Sequence, residues 1–334
     1  MSNAPLAAHR PSGDRPPADR TAAPAAVPGP DPDPDPAAAA TSHAAAAGAR
    51  LLLPNRADVR VVAHRGASGI LAEHTLAAYR LAIEQGADAL ECDVRLTADD
   101  QLVCIHDRTV NRTSDGSGVV SELTLAQLSA FDFGSWKARG TGEDHCSVLP
   151  LERLLRLAAD SGRRVELAIE TKHPIRQGGR LELRLLELLN RFDLVTPSSG
   201  EPSPVRIMSF SALSLRRVRE LAPQLPTVFL TERVLPWYRD GRLPYGARIA
   251  GPGIDLIRRN PGYVAALHRA GQRVHVWTVD EPGDVELCLR LGVDTIISNY
   301  PLRVLEQLGR APARAVAPPE PSVPGSKLPT ENGN

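Results

Sequence analysis

The chain has 334 residues, with 39 Lys+Arg against 39 Asp+Glu and a formal net charge of zero. That balance excludes a bulk preference for nucleic acid or for an anionic membrane surface, so any partner must be argued from local charge. Aromatic residues make up only 4%, which leaves Leu, Val, Ile and Ala to build a core sized for one large α/β domain or two small ones.

Residues 1–50 are rich in Ala, Pro, Asp and Arg and include Asp31-Pro-Asp-Pro-Asp-Pro36. Such a segment buries too little apolar surface to offset its ordering entropy, and a disordered arm is expected over residues 1–55. Ala37 to Leu53 is mostly alanine, with Thr41, Ser42, His43 and Arg50 inside it. It is too short and too polar to span a bilayer, so no stable membrane insertion is expected. With no apolar signal core at the N-terminus, a cytoplasmic protein is expected. Cys92, Cys104, Cys146 and Cys288 match no zinc or redox spacing and read as buried small hydrophobes.

From Val59 onward strand-like and helix-like segments alternate. Val59–Ala63 is a β-branched first strand, and Glu73–Gln85 carries Leu76, Tyr79 and Ile83 at helical spacing before Gly86. Ala87–Val94 and Leu102–His106 read as the second and third strands. Residues 107–149 break the rhythm. They hold the turn Asp115-Gly-Ser-Gly118, a capping box at Thr124-Leu-Ala-Gln127, and Phe131, Phe133 and Trp136. An insertion after the third strand, packed over one rim, is expected there.

The alternation then resumes. Helices are expected over Leu151–Ser161, Leu181–Phe192, Leu213–Leu221, Pro261–Ala270, Asp284–Leu291 and Leu302–Leu308. Strands are expected at Val165–Ile169, Val205–Met208, Thr227–Leu230, Val274–Val279 and Asp294–Ser298. Residues 232–258 read as loops with one short extended piece near Ile249. Eight strands with interleaved helices over residues 56–310 predict a (β/α)8 TIM barrel. An open doubly wound sheet is the alternative, but the Gly-x-Gly-x-x-Gly fingerprint is absent after the first strand. Residues 311–334 read as a disordered tail.

Charged residues follow strand ends repeatedly: His64-Arg65, Glu91-x-Asp93, His106-Asp107, Glu170-x-Lys172, Trp277 and Asn299. In a barrel those ends share one rim. Glu91 and Asp93 alternate with Cys92 and therefore share a face. Paired carboxylates repel unless a cation lies between them, and hard oxygen donors suit Mg²⁺ or Ca²⁺, with Glu170 as a third ligand. The bland alternative is ion pairing, for instance with Arg95. His64 and His106 are candidates for acid and base. Zinc on these histidines is a lesser alternative, because the neighbouring acids are hard. Arg65 and Lys172 can hold a phosphate, and Trp277 can line the cleft.

These residues resemble the glycerophosphodiester phosphodiesterase family. The matching pieces are His64-Arg65-Gly66-Ala-Ser-Gly, Ala72-Glu73-His74-Thr75, Leu90-Glu91-Cys-Asp93-Val, Val103-Cys-Ile-His106-Asp107, Glu170-Thr-Lys172, Ser209-Phe210, Val276-Trp277-Thr-Val and Asp294-Thr-Ile-Ile-Ser-Asn-Tyr-Pro301. The stretch Thr109–Gly140 is similar to the family's insertion. The resemblance implies a barrel that hydrolyses glycerophosphodiesters to glycerol 3-phosphate and an alcohol. It also implies a divalent metal on Glu91, Asp93 and Glu170, acid–base work by His64 and His106, and a phosphate grip by Arg65 and Lys172. Two positions depart from the family pattern: His74 stands where Asn is usual, and Asn299 where Asp is common.

The expected partner is a small-molecule glycerophosphodiester, with no nucleic acid; the sequence does not address oligomeric state. One alternative is lysophospholipase D activity, with Phe131, Phe133 and Trp136 meeting an acyl chain. Another is a non-catalytic barrel that binds phosphodiesters.

Overall fold

The computed structural model describes residues 56–310, except 138–141, 174–177 and 235. The arms expected over residues 1–55 and 311–334 lie outside the described residues.

Nine strands form one sheet: β1 (Arg60–His64), β2 (Ala89–Leu96), β3 (Leu102–Cys104), β4 (Glu166–Thr171), β5 (Val205–Ser209), β6 (Thr227–Thr231), β7 (Ile249–Pro252), β8 (Arg273–Val276) and β9 (Thr295–Ser298). The order is β1-β9-β8-β7-β6-β5-β4-β2-β3, and β1 also pairs with β2. That extra pairing closes eight parallel strands into the expected barrel, with β3 outside it.

The count of eight holds, but its membership differs from the sequence reading. The expected third strand is not a stave. Leu102–Cys104 runs antiparallel to the end of β2, with Val94 opposite Cys104 and Leu96 opposite Leu102. Only five residues separate β2 from β3, and a parallel return needs a crossover of a dozen or more. The missing stave is β7, the short piece near Ile249. Gly251 and Pro252 disguise it as a loop, yet it pairs with both β6 and β8. A Cβ on Gly251 would meet Leu230 Cδ2 at 2.6 Å, so glycine is what lets the two strands pack.

The helices are α1 (Leu76–Glu84), α2 (Leu125–Leu128), α3 (Glu143–Cys146), α4 (Leu151–Ala159), α5 (Arg180–Arg191), α6 (Ala212–Leu221), α7 (Ile254–Arg259), α8 (Gly262–Arg269), α9 (Pro282–Leu291) and α10 (Pro301–Gln307). Their ends obey local chemistry. The Thr75 hydroxyl accepts from Ala78 N at the start of α1, and Thr124 with Gln127 forms the expected capping box on α2. In α5 the buried Leu181, Leu185, Leu188 and Leu189 fall on one face toward the barrel. Each such leucine contributes about 2 kcal/mol of burial. No helix among the described residues is long and apolar enough to cross a membrane.

The period-2 alternation of the strands decides where the chemistry sits. Val61, Leu90, Cys92, Leu167 and Ile169 point outward into the helix layer. Val62, Ala89, Ala168, Met208, Val228, Ile249 and Ile297 point inward and fill the barrel. Two residues further along the same inward rows stand His64, Glu91 and Glu170. The apolar plug is therefore the floor of the site. The segment between β3 and α4 has its own small core of Ile105, Val110, Val120, Leu128, Phe133 and Val148. Cys92, Cys104 and Cys288 are buried thiols and Cys146 is half-buried.

Candidate active site

Strand register puts the acids and one histidine on a single level. His64 lies opposite Glu91 across β1–β2, and Asp93 lies opposite Glu170 across β2–β4. Glu91, Asp93 and Glu170 are buried, and one oxygen from each lies within 4.8 Å of the others. Around them, Lys172 Nζ is 2.9 Å from Asp93 Oδ1 and 2.7 Å from Glu170 Oε1. Arg65 Nε is 3.0 Å from Asp93 Oδ2 and its Nη1 is 2.9 Å from Glu73 Oε1.

The three carboxylates respond unequally. Burial and the neighbouring Asp93 charge push Glu91 well above the usual carboxylate range. The same causes lift Glu170 to about 8 despite Lys172. Burial would raise Asp93 as well, but Lys172 and Arg65 hold it well below its ordinary value. This cluster has more buried acid than its two cations neutralise. Oxygen-only donors, short of positive charge and at mutual contact distance, fit a divalent cation. Arg95, the bland ion-pair partner, is engaged elsewhere: its Nε and Nη2 donate to the His106 carbonyl at 3.0 and 2.7 Å.

His64 is oriented by a polar relay. Asn299 Nδ2 donates to Asp280 Oδ2 at 2.6 Å, and Asn299 Oδ1 lies 2.8 Å from His64 Nδ1. The Asp280 carboxylate only accepts, so the amide group of Asn299 must face it and its carbonyl must face the imidazole. A carbonyl also only accepts, so Nδ1 carries the proton. Nε2 is left with its lone pair, 4.0 Å from Glu91 Oε2. Burial, reinforced by Arg65, lowers the His64 pKa to about 3.

His106 follows a parallel plan with a charged partner. Its Nδ1 lies 2.6 Å from Asp107 Oδ1. It shares a cleft of about 540 Å³ with Glu170, Lys172, His173 and Phe210. Trp277 stands beside that cleft, edge-on to Phe210 at 5.4 Å, with its indole N–H donating to the Gly251 carbonyl at 2.7 Å.

The loop from β1 to α1 is folded tightly. Gly66 has φ +85°, and a Cβ there would meet the Ala78 carbonyl carbon at 2.7 Å. His74 has φ +60°, a region where Asn and His are enriched among non-glycine residues. That explains why the family's usual Asn is replaceable by His here. The imidazole of His74 joins the site, with Nε2 2.9 Å from Asp93 Oδ2 and Nδ1 2.8 Å from the Tyr79 hydroxyl.

All eight residues singled out from the sequence converge on this rim. The sequence reading missed Asp280 and Arg112. Asp280 follows a strand end by the same rule as the others, at Val279-Asp280. Arg112 had no such signal, because it lies inside the insertion.

A closed parallel barrel with acids, imidazoles and cations on its C-terminal rim places the chain among (β/α)8-barrel enzymes. The model of the glycerophosphoryl diester phosphodiesterase family matches residues 64–303, and the chain belongs to that family. It is 44% identical over 257 residues to a probable glycerophosphodiester phosphodiesterase 1 of Mycobacterium tuberculosis, covering 75% of this chain and 93% of that one. It is 35% identical over 256 residues to the glycerophosphodiester phosphodiesterase of Bacillus subtilis, covering 75% and 86%. Among solved structures it resembles an Oleispira antarctica phosphodiesterase in complex with the product sn-glycerol-3-phosphate. There the TM-score is 0.66 and the identity 24%, over 78% of this chain and 98% of that one. A putative glycerophosphoryl diester phosphodiesterase from Silicibacter pomeroyi gives a TM-score of 0.65 at 27% identity, over 75% and 93%.

Proposed function

We propose that the protein hydrolyses water-soluble glycerophosphodiesters to glycerol 3-phosphate and an alcohol, with His64 and His106 moving the protons. The observation that carries this reading is the single level formed by His64, Glu91, Asp93 and Glu170, with His106 on the adjoining cleft. When bound by Glu91, Asp93 and Glu170, Mg²⁺ or Ca²⁺ supplies positive charge to the phosphoryl oxygens.

The remaining work belongs to the chain's own side chains. Arg65 and Lys172 border the triad and hold the phosphate, Arg as a fork and Lys as a point charge. His64 Nε2, neutral and with its lone pair free, takes the proton of the attacking hydroxyl. His106 is hydrogen-bonded to a carboxylate, which stabilises imidazolium as a neutral amide does not. It therefore gives a proton to the departing alcohol oxygen. Trp277 and Phe210 wall the cleft where that alcohol leaves. A cytoplasmic location belongs to the same proposal, supported by the buried thiols of Cys92, Cys104 and Cys288.

One observation favours lysophospholipids as a second substrate class. Phe133 is buried and Phe131 packs against Gly116, so neither is free to meet an acyl chain. Trp136 and Phe210 are each 44% exposed.

The deciding experiment measures glycerol 3-phosphate release from glycerophosphocholine and glycerophosphoethanolamine, with and without chelator, beside His64→Ala. Release that stops with chelator and with the variant supports the whole reading. Release that survives chelation removes the metal from it. No release from either diester by folded protein transfers the question to lysophospholipids.

A further inference from the structure

Arg112 sits in the segment after β3, between two buried anchors, Val110 and Thr113. Its guanidinium is fully engaged. Nε donates to Asp107 Oδ2 at 2.6 Å, while Nη1 and Nη2 donate to Glu73 Oε2 and Oε1 at 2.8 and 2.7 Å. Both carboxylates look onward into the site. The other oxygen of Asp107 holds His106 Nδ1 at 2.6 Å, and Glu73 Oε1 holds Arg65 Nη1 at 2.9 Å. The result is an unbroken chain: His106, Asp107, Arg112, Glu73, Arg65.

We propose that Arg112 is a positioning residue that fixes His106 and Arg65 in one mutual geometry. Glu73 belongs to the loop between β1 and α1, whereas Asp107 and Arg112 belong to the segment that follows β3. The guanidinium therefore ties two separate loops, each of which presents one chemistry-bearing side chain. Only a planar fork can serve both carboxylates, one of them bidentately; an ammonium is a point charge and cannot. The ordinary alternative is a surface ion pair, since Arg112 is 45% exposed. Such pairs contribute little to stability. The two roles separate cleanly, because a positioning role shows in turnover and hardly in unfolding.

The inference rests on the proposed diesterase reading for its kinetic test, so a second readout needs no turnover. In the kinetic arm, Arg112→Ala and Arg112→Lys are compared with wild type on glycerophosphocholine. A fall in kcat of about 30- to 300-fold is expected for Arg112→Ala, with less than fivefold recovered by Arg112→Lys. Added guanidinium is expected to restore Arg112→Ala several-fold and to leave Arg112→Lys and Arg65→Ala unchanged. A kcat within threefold of wild type overturns the proposal. A loss confined to KM also overturns it, because that pattern means Arg112 grips substrate directly.

The second arm is proton NMR with ¹⁵N-labelled histidine. The His106 Nδ1 proton, shifted downfield by its bond to Asp107, is expected to move upfield in Arg112→Ala. An unmoved resonance overturns the coupling whether or not the wild type turns over. If Arg112→Ala fails to fold, Asp107→Asn and Glu73→Gln carry the same test. Their NMR shifts are then compared with those of the double variant. Effects on His106 that simply add show the two carboxylates to be uncoupled and overturn the proposal.

Discussion

Asn299 holds His64 by a carbonyl oxygen, 2.8 Å from Nδ1, and thereby decides which imidazole nitrogen is available to the site. The decision is made one step back, at Asp280, which can accept only from the amide side of Asn299. Replacing Asn299 by Leu is expected to lower kcat about 100-fold with KM within threefold. Asn299→Asp, which installs the residue common in the family, keeps an acceptor at Nδ1 and is expected to stay within tenfold of wild type. Asp280→Asn frees the amide to turn over and is expected to fall between the two. Steady-state kinetics on glycerophosphocholine checks the order; a harmless Asn299→Leu would remove the relay from the mechanism.

Removing the metal is expected to abolish turnover, and adding Mg²⁺ or Ca²⁺ to the chelated protein should restore it. Asp93 has a second duty that metal does not share. It accepts from Lys172, Arg65 and His74 at 2.9, 3.0 and 2.9 Å. Asp93→Ala strands two buried cations, which costs roughly 3–5 kcal/mol in comparable cases. Urea unfolding of the chelated protein is the check. A midpoint equal to wild type would show that the cations find other partners.

Acid stability is expected to depend on Glu73. Burial alone would raise its pKa, but hydrogen bonds from Arg112 and the charge of Arg65 bring it down to about 2 from an ordinary 4.5. A depressed acid means the unfolded chain binds the proton more readily than the native one. The stabilisation is therefore whole above pH 4.5 and is lost as pH falls through 2. It amounts to roughly 3 kcal/mol at most. Glu73→Gln should be less stable than wild type at pH 6, and the gap should close toward pH 2. Urea midpoints across that range test the sign; a gap that widens in acid would contradict it.

Gly66→Ala is expected to be damaging beyond its size. The residue has φ +85° and no room for a Cβ against the Ala78 backbone. Positive φ alone costs about 1–2 kcal/mol for an alanine, and the clash adds to it. Because Arg65 N donates to Glu91 Oε2 at 3.0 Å from the neighbouring position, the variant should lose turnover as well as stability. Unchanged kinetics would mean that the loop is less tightly tied to α1 than its packing indicates.

Most of the rim was readable from the chain, for a specific reason. Charged residues at strand ends are conspicuous against apolar runs, and alternation alone puts Glu91 and Asp93 on one face. What failed was the membership of the barrel. Leu102–His106 has the composition of a stave, and Gly251-Pro252 has that of a turn. The five-residue link between β2 and β3 already ruled out a parallel neighbour, so loop length was a better guide there than composition. Arg112 and the relay through Asp280 were hidden for a different cause. Their significance lies in what they touch, and those contacts join positions 39 and 19 residues apart.

The segment after β3 leaves and rejoins the barrel at one place. Val103 bridges Pro150, and Cys104 N donates to the Leu149 carbonyl at 2.8 Å. A detour whose two feet stand side by side, with its own apolar centre, can lengthen, shrink or be exchanged without disturbing the staves. Yet His106 is planted at its first foot and Arg112 within it, while the acidic triad and His64 belong to the staves. The fold thus divides its proposed proton handling between a fixed part and a replaceable one. Descent with new head-group preferences has an inexpensive route here: rewrite the detour, retain its first foot, and leave the acids alone.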